Sequence, residues 1–246
     1  MPQTKKILLL GDSHTYGDGL PDVGHNEPWK EFSKKTWPYY IFKEEFINNK
    51  SFPGNANDII SLNLVRNIDK TNLVIIMFTY QERQHLIRKG YNFVTSHNYT
   101  KPISDNGDEN WVAKQLVKKF EEQNKKFIIE HHEDILLEIK YLKNILFCQS
   151  LCESKKVDYF FTLVQHRPKI KIEGSVKKFR DALVDNIKWK KIFLVENQFG
   201  FTDYAKQIGA NRGLDEQHWD IEYHKTFGNL FKNILKQDRK IKNYLL

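Results

Sequence analysis

The sequence predicts an α/β protein, a parallel sheet with helices packed on both faces. Three observations carry this. Residues 6–10 (KILLL), 72–78 (NLVIIMF) and 157–164 (VDYFFTLV) are nearly unbroken apolar runs, the pattern of strands covered on both sides. Stretches with helical spacing of apolar residues separate them. The first run also ends abruptly in Gly11-Asp12-Ser13-His14, a buried strand feeding a tight turn.

Taken in order, strand 6–10 is followed by residues 37–48, where Trp37, Tyr40, Ile41 and Phe46 lie at near-helical spacing and Pro38 suits a first helical turn. Residues 50–52 read as a second short strand, closed by Pro53-Gly54. Helix 57–68 carries Ile59, Ile60, Leu64 and Val65, enough for one buried side. Strand 72–78 has the strongest pattern in the chain. Residues 91–110 are polar and read as an excursion or lid rather than core. Helices are expected at 111–123 and 130–153, and strands at 157–164 and 189–195 (WKKIFLV). The final helix is 224–235, with Phe227, Leu230, Phe231 and Ile234 on one side. No repeat and no linker interrupts the pattern, so residues 1–246 are expected to form one domain.

Composition agrees with a large core. The 246 residues are 40% hydrophobic and include 17 Phe, 11 Tyr and 5 Trp. With 28% charged residues and only 12 Gly and 7 Pro, disordered and low-complexity classes are excluded. The longest apolar stretches, Ile7–Leu10 and Leu73–Phe78, fall far short of the roughly 20 residues a membrane span needs. Nothing near Met1 resembles a secretion signal, so a cytoplasmic protein is expected.

The net charge of +8 is spread along the chain, with modest density at 169–178, 188–191 and 236–242. These motif-free basic stretches read as solvated faces, which argues against nucleic acid as a partner. Cys148 and Cys152, four apart in an expected helix, read as small core-facing residues rather than a disulfide or metal pair. His131 and His132, beside Glu133 and Asp134, are adjacent on an expected helix and so face different directions. No metal site is expected.

Two segments carry chemistry. Ser13, at a turn where a strand ends at the sheet's C-terminal edge, is expected to expose its hydroxyl, with backbone N–H groups nearby that suit an oxyanion. Gly11 permits the tight backbone, and Asp12 can bond the turn behind Ser13. Near the other end, Asp215-Glu216-Gln217-His218 offers a general base and the carboxylate that fixes its tautomer, three residues apart in one loop.

Together, Gly-Asp-Ser-His after the first strand and Asp-x-x-His before the last helix resemble the SGNH hydrolases, also called GDSL-like esterases and lipases. The resemblance runs over nearly the whole chain in order and spacing, more loosely in the middle. It implies a flavodoxin-like three-layer α/β/α fold, no cofactor, and hydrolysis or transfer of a short acyl group through an acyl-enzyme on Ser13. The implied substrate is a small-molecule or glycan ester, with acetyl on a carbohydrate preferred. The implied triad is Ser13, Asp215 and His218. Residues 51–57 (SFPGNAN) resemble the family's second block, which gives Gly54 as the oxyanion glycine beside the Ser13 N–H.

The family's third block, Gly-x-Asn-Asp, is not matched. Phe78-Thr79-Tyr80-Gln81-Glu82-Arg83 stands there, leaving Thr79, Tyr80 or Gln81 as candidate donors. Asp12 and Arg83 are candidates for substrate binding. Losing one oxyanion donor costs about 10²–10³ in rate. The departure therefore supports an alternative, a catalytically weak or inactive binding or assembly protein of the same fold. Trp219 replaces the family's Pro after His218 and reads as a core residue at the helix entry. His14 is expected to shape the turn, and His166, Arg167 and Pro168, after a strand, to face the cleft; His25 has no assigned role.

Overall fold

The computed structural model describes residues 6–23, 32–88, 91–96, 99–103, 134–166 and 173–246. The expected helix at 111–123, the start of the one at 130–153, and His25, His131, His132, Arg167 and Pro168 lie outside these residues.

The strands are β1 (Ile7–Leu10), β2 (Ile47–Asn49), β3 (Leu73–Phe78), β4 (Gln84–Arg88), β5 (Tyr91–Ser96), β6 (Tyr99–Ile103), β7 (Asp158–Leu163) and β8 (Ile192–Phe193). The helices are α1 (Ser13–Tyr16), α2 (Asn57–Asn67), α3 (Asp134–Ser154), α4 (Gly174–Asn186), α5 (Phe201–Gln207) and α6 (Ile221–Leu235). Five strands pair in the order β2-β1-β3-β7-β8, every pair parallel. This is the doubly wound, flavodoxin-like order, whose crevice lies at the carboxyl ends of the strands.

Side chains alternate along each strand, so each feeds both faces of the sheet. Ile7, Leu9, Ile75 and Met77 join Trp37, Phe193, Phe227 and Phe231 on one face. Leu8, Leu10, Val74 and Ile76 meet α2 and α3 on the other, through Ile60, Leu64 and Ile145. Two apolar layers on one sheet make the three-layer α/β/α sandwich. Cys148 and Cys152 are free and buried in the second layer. Among the described residues, no helix is long and apolar enough to cross a membrane.

Several boundaries differ from expectation. Residues 37–48 form no α-helix but two 3₁₀ turns, Trp37–Tyr40 and Glu44–Phe46, leading into β2. Trp37 and Ile41 are both buried, which produced the helical spacing, and α6 lies close against this turn. A Cβ at Gly228 of α6 would come within 2.6 Å of the Trp37 carbonyl oxygen. The second strand is residues 47–49, not 50–52; Asn48 and Asn49 at the sheet edge broke the apolar pattern. Residues 84–88, 91–96 and 99–103, expected in part as a polar excursion, form an antiparallel sheet in the order β4-β5-β6. Their polar sequence gives no unbroken apolar run, which hid them. Helices α4 and α5 were not anticipated, and α6 starts at Ile221, capped by the Asp220 carboxylate accepting from Tyr223 N–H at 2.9 Å.

Candidate active site

Ser13 lies just beyond β1, at the carboxyl end of the sheet, and opens the single turn α1. Asp12 caps that turn: its Oδ1 accepts from the His14 N–H at 3.0 Å, and its carbonyl accepts from Tyr16 N–H at 2.9 Å. Gly17, at φ +88, ends it. A Cβ at Gly11 would come within 2.3 Å of Thr15 Oγ1, so the strand can enter this turn only through glycine. Ser13 is 6% exposed, and among the described residues its hydroxyl and backbone N–H make no hydrogen bond.

Asp215 and His218 share one loop. Asp215 Oδ1 accepts from the backbone N–H of Gln217 at 3.0 Å and of His218 at 2.9 Å. Its Oδ2 accepts from His218 Nδ1 at 2.5 Å. Partial burial works to raise the Asp215 pKa, but the bonds and charge from His218 outweigh it and hold the carboxyl below its ordinary value. Because an ionised carboxylate only accepts, Nδ1 carries the proton and Nε2 is the basic nitrogen.

Two glycines dock this loop against the chain that leaves α1. Gly19 sits at φ +78, and a Cβ there would lie 2.5 Å from Asp215 Oδ1. Leu214 N–H donates to the Gly19 carbonyl at 3.0 Å, and a Cβ at Gly213 would lie 2.7 Å from that oxygen. The His14 ring packs edge-on against His218 with centroids 5.4 Å apart, so the Ser13 turn and the His218 loop are neighbours. No hydrogen bond joins Ser13 to His218 among the described residues.

Gly54 lies in the loop after β2. Phe52 N–H and the Asn55 side-chain amide both donate to the Gly11 carbonyl, at 3.3 and 3.0 Å, which seats this loop beside the Ser13 turn. Gly54 has φ +82, and a Cβ there would meet nothing within 4 Å. Glycine is therefore favoured here by the sign of φ rather than by close approach. Its N–H makes no hydrogen bond among the described residues.

The segment after β3 departs from expectation most. Thr79 is buried with both donors engaged: its N–H goes to Asn57 Oδ1 at 2.9 Å and its hydroxyl to Asp12 Oδ2 at 2.6 Å. It therefore has no donor left for an oxyanion. Tyr80 turns its hydroxyl toward Thr202 Oγ1 at 3.3 Å and His14 Nε2 at 3.5 Å, while Gln81 is half-buried. Asp12, expected to touch substrate, is wholly buried and bonded at both oxygens. Arg83 Nη1 donates to Asp12 Oδ2 at 2.9 Å and to the Asn55 carbonyl at 3.4 Å. These two residues bind the protein to itself, where substrate contact was expected.

Burial raises the Asp12 pKa, but His14, Arg83 and the Thr79 hydroxyl together pull it below its ordinary value. Trp219 is a core residue, as expected, packed under Arg212 at 3.8 Å. His166 is held by its backbone N–H to Asp203 at 2.7 Å and by its ring to the Gln198 carbonyl at 2.8 Å. Among the described residues, no group of three or more His, Cys, Asp or Glu is arranged to hold a metal ion. Sequence reasoning gave no role in the site to Gly19 or Gly213 and took Asn57 only as a helix start; their partners are distant in sequence.

No family model and no curated protein matches the chain. Solved structures do. One is described as a lipolytic protein of the G-D-S-L family from Desulfitobacterium hafniense, 13% identical, TM-score 0.46, with 94% of this chain and 99% of that one covered. Another is a GDSL-like lipase from Bacteroides thetaiotaomicron, 13% identical, TM-score 0.42, covering 96% and 90%. A third is an acetyl xylan esterase from Butyrivibrio proteoclasticus, 10% identical, TM-score 0.46, covering 96% of this chain and 65% of that one. By its own topology the chain is a three-layer α/β/α sandwich on a parallel sheet, and solved structures similar to it include GDSL-like lipases and an acetyl xylan esterase.

Proposed function

We propose that the chain is a serine esterase acting through an acyl-enzyme on Ser13. The observation that carries this reading is the Asp215–His218 pair, bonded at 2.5 Å through Nδ1, in a loop seated beside the Ser13 turn. With Nδ1 fixed, Nε2 is free to take the Ser13 proton as Oγ attacks an ester carbonyl. The ionised Asp215 stabilises the imidazolium that forms. The unengaged backbone N–H groups of Ser13 and Gly54 hold the oxyanion. His218 then returns its proton to the leaving alkoxide, the alcohol departs, and water repeats the cycle to release the acid. A short acyl group on a glycan, acetyl first, is the preferred substrate; a sugar hydroxyl replacing water would make the same site a transferase.

The alternative is a weak or inactive binding or assembly protein of this fold. Thr79 favours it, because both of its donors are engaged within the protein. Hydrolysis of p-nitrophenyl acetate by the wild type beside Ser13→Ala and His218→Ala decides between them. The esterase reading expects turnover by the wild type and a loss of several powers of ten in both variants. Equal rates in all three, with no fluorophosphonate labelling of Ser13, leave the binding protein as the reading.

A further inference from the structure

Arg83 holds together the two loops that carry the proposed oxyanion donors. Ser13 N–H follows Asp12 at the end of β1, whereas Gly54 N–H precedes Asn55 in the loop after β2. One guanidinium nitrogen, Arg83 Nη1, reaches both segments: Asp12 Oδ2 at 2.9 Å and the Asn55 carbonyl at 3.4 Å. The same carboxylate caps the Ser13 turn through its other oxygen. Asn55 returns the link through its side-chain amide, which donates to the Gly11 carbonyl at 3.0 Å. The ion pair is secluded, with the Arg83 side chain 9% and the Asp12 side chain 0% exposed.

On the esterase reading, we infer that Arg83 is a positioning residue for acyl transfer, setting the Ser13 N–H and the Gly54 N–H in register around one oxyanion. It acts through Asp12 and the Asn55 carbonyl and does not touch the substrate. Such control matters because an oxyanion must meet both donors at about 2.7–3.1 Å, and a misplacement near 1 Å costs about 10²-fold. Its weight is greater here because Thr79 has no donor left to offer. A lysine at 83 would keep a positive charge near Asp12, but as a shorter point charge it would not span both partners.

The experiment is steady-state hydrolysis of p-nitrophenyl acetate by wild type and Arg83→Lys, with Tm and the pH profile of kcat recorded for each. The inference expects kcat to fall about 10–100-fold, KM to change less than twofold, and the acid limb of the profile to stay in place. An unmoved acid limb reports an intact Asp215–His218 pair. A wild-type kcat per folded molecule overturns the inference. So does a rise in KM at constant kcat, which would put Arg83 on the substrate.

If Arg83→Lys does not fold, Asp12→Asn with Arg83→Gln removes both buried charges at nearly constant shape. The same fall in kcat is expected of it, and a wild-type kcat overturns the inference. Failure of the esterase reading itself shows separately, as a wild type without Ser13-dependent turnover or labelling; it removes the step to be positioned and overturns this inference too.

Discussion

His14 follows Ser13 directly, yet its ring is buried between Phe201, at 5.2 Å, and His218, at 5.4 Å. Burial pushes its pKa down to about 4, against an opposing pull from Asp12. His224 is also buried, and its pKa is lowered well below the ordinary value. Because Trp37 N–H donates to its Nδ1 at 3.2 Å, that nitrogen is an acceptor and the ring is neutral. Two imidazoles near His218 are thus kept uncharged at neutral pH and do not oppose its protonation during turnover. The same burial sets a pH dependence of stability. An unfolded histidine takes up a proton near pH 6.5, but folded His14 does not until about 4. Between those values the unfolded state binds more protons, so stability falls as pH falls. A gap of this size corresponds to an upper bound of about 3 kcal/mol. Asp12, held below its ordinary pKa, adds a loss at still lower pH, as its folded form is finally protonated. Tm measured from pH 7 to pH 4 should therefore drop steadily, and His14→Gln should flatten part of that slope. An unchanged slope would assign the acid sensitivity elsewhere.

Among the elements, the contact between the chain leaving α1 and the loop at 213–219 decides whether the site assembles. Gly19→Ala would force a Cβ onto Asp215 at a φ that alanine disfavours. The expected result is a kcat for ester hydrolysis at least about 10-fold lower, with far-UV circular dichroism unchanged. Wild-type kcat would mean that the loop can move without cost to the site. This contact also marks how far the sequence could be read. β1, β3 and β7 were legible because nearly every side chain in them enters a core layer, which leaves an unbroken apolar run. β2, with sequence INN, buries too little to leave such a pattern, and of the strand expected at 189–195 only Ile192–Phe193 pairs as β8. Trp37 and Ile41 gave a helical spacing that two 3₁₀ turns satisfy equally well. Ser13, Asp215 and His218 stood out by residue type and by their places in the chain. Gly19, Gly213 and Asn57 did not, because their importance lies in partners distant in sequence. Arg83 and Asp12 were noticed as charges, but only their geometry turns them from substrate contacts into a buried pair.

At the scale of the molecule, one sheet supports two apolar layers, and each strand feeds both. The layer beneath the proposed site joins residues far apart in the chain: Phe231 stacks on Phe193 at 4.5 Å and on Trp37 at 5.8 Å. His224 lies on the same helix and holds the start of the Trp37 turn, so α6 ties this core to the surroundings of His14. Phe231→Ala removes a fully buried ring where three segments meet and should cost about 3–5 kcal/mol. For a chain of this size, each kcal/mol corresponds to about 2–4 °C in Tm. The expected fall is thus roughly 6–20 °C. Because the opposite layer rests on the same strands, loss on one face exposes the other, and a single unfolding transition is expected for wild type and variant alike. Tryptophan fluorescence, circular dichroism and ester hydrolysis should lose their signals at the same urea concentration. If hydrolysis vanished well before the other two, the site would be a separately melting region, and a single cooperative domain would no longer describe the chain.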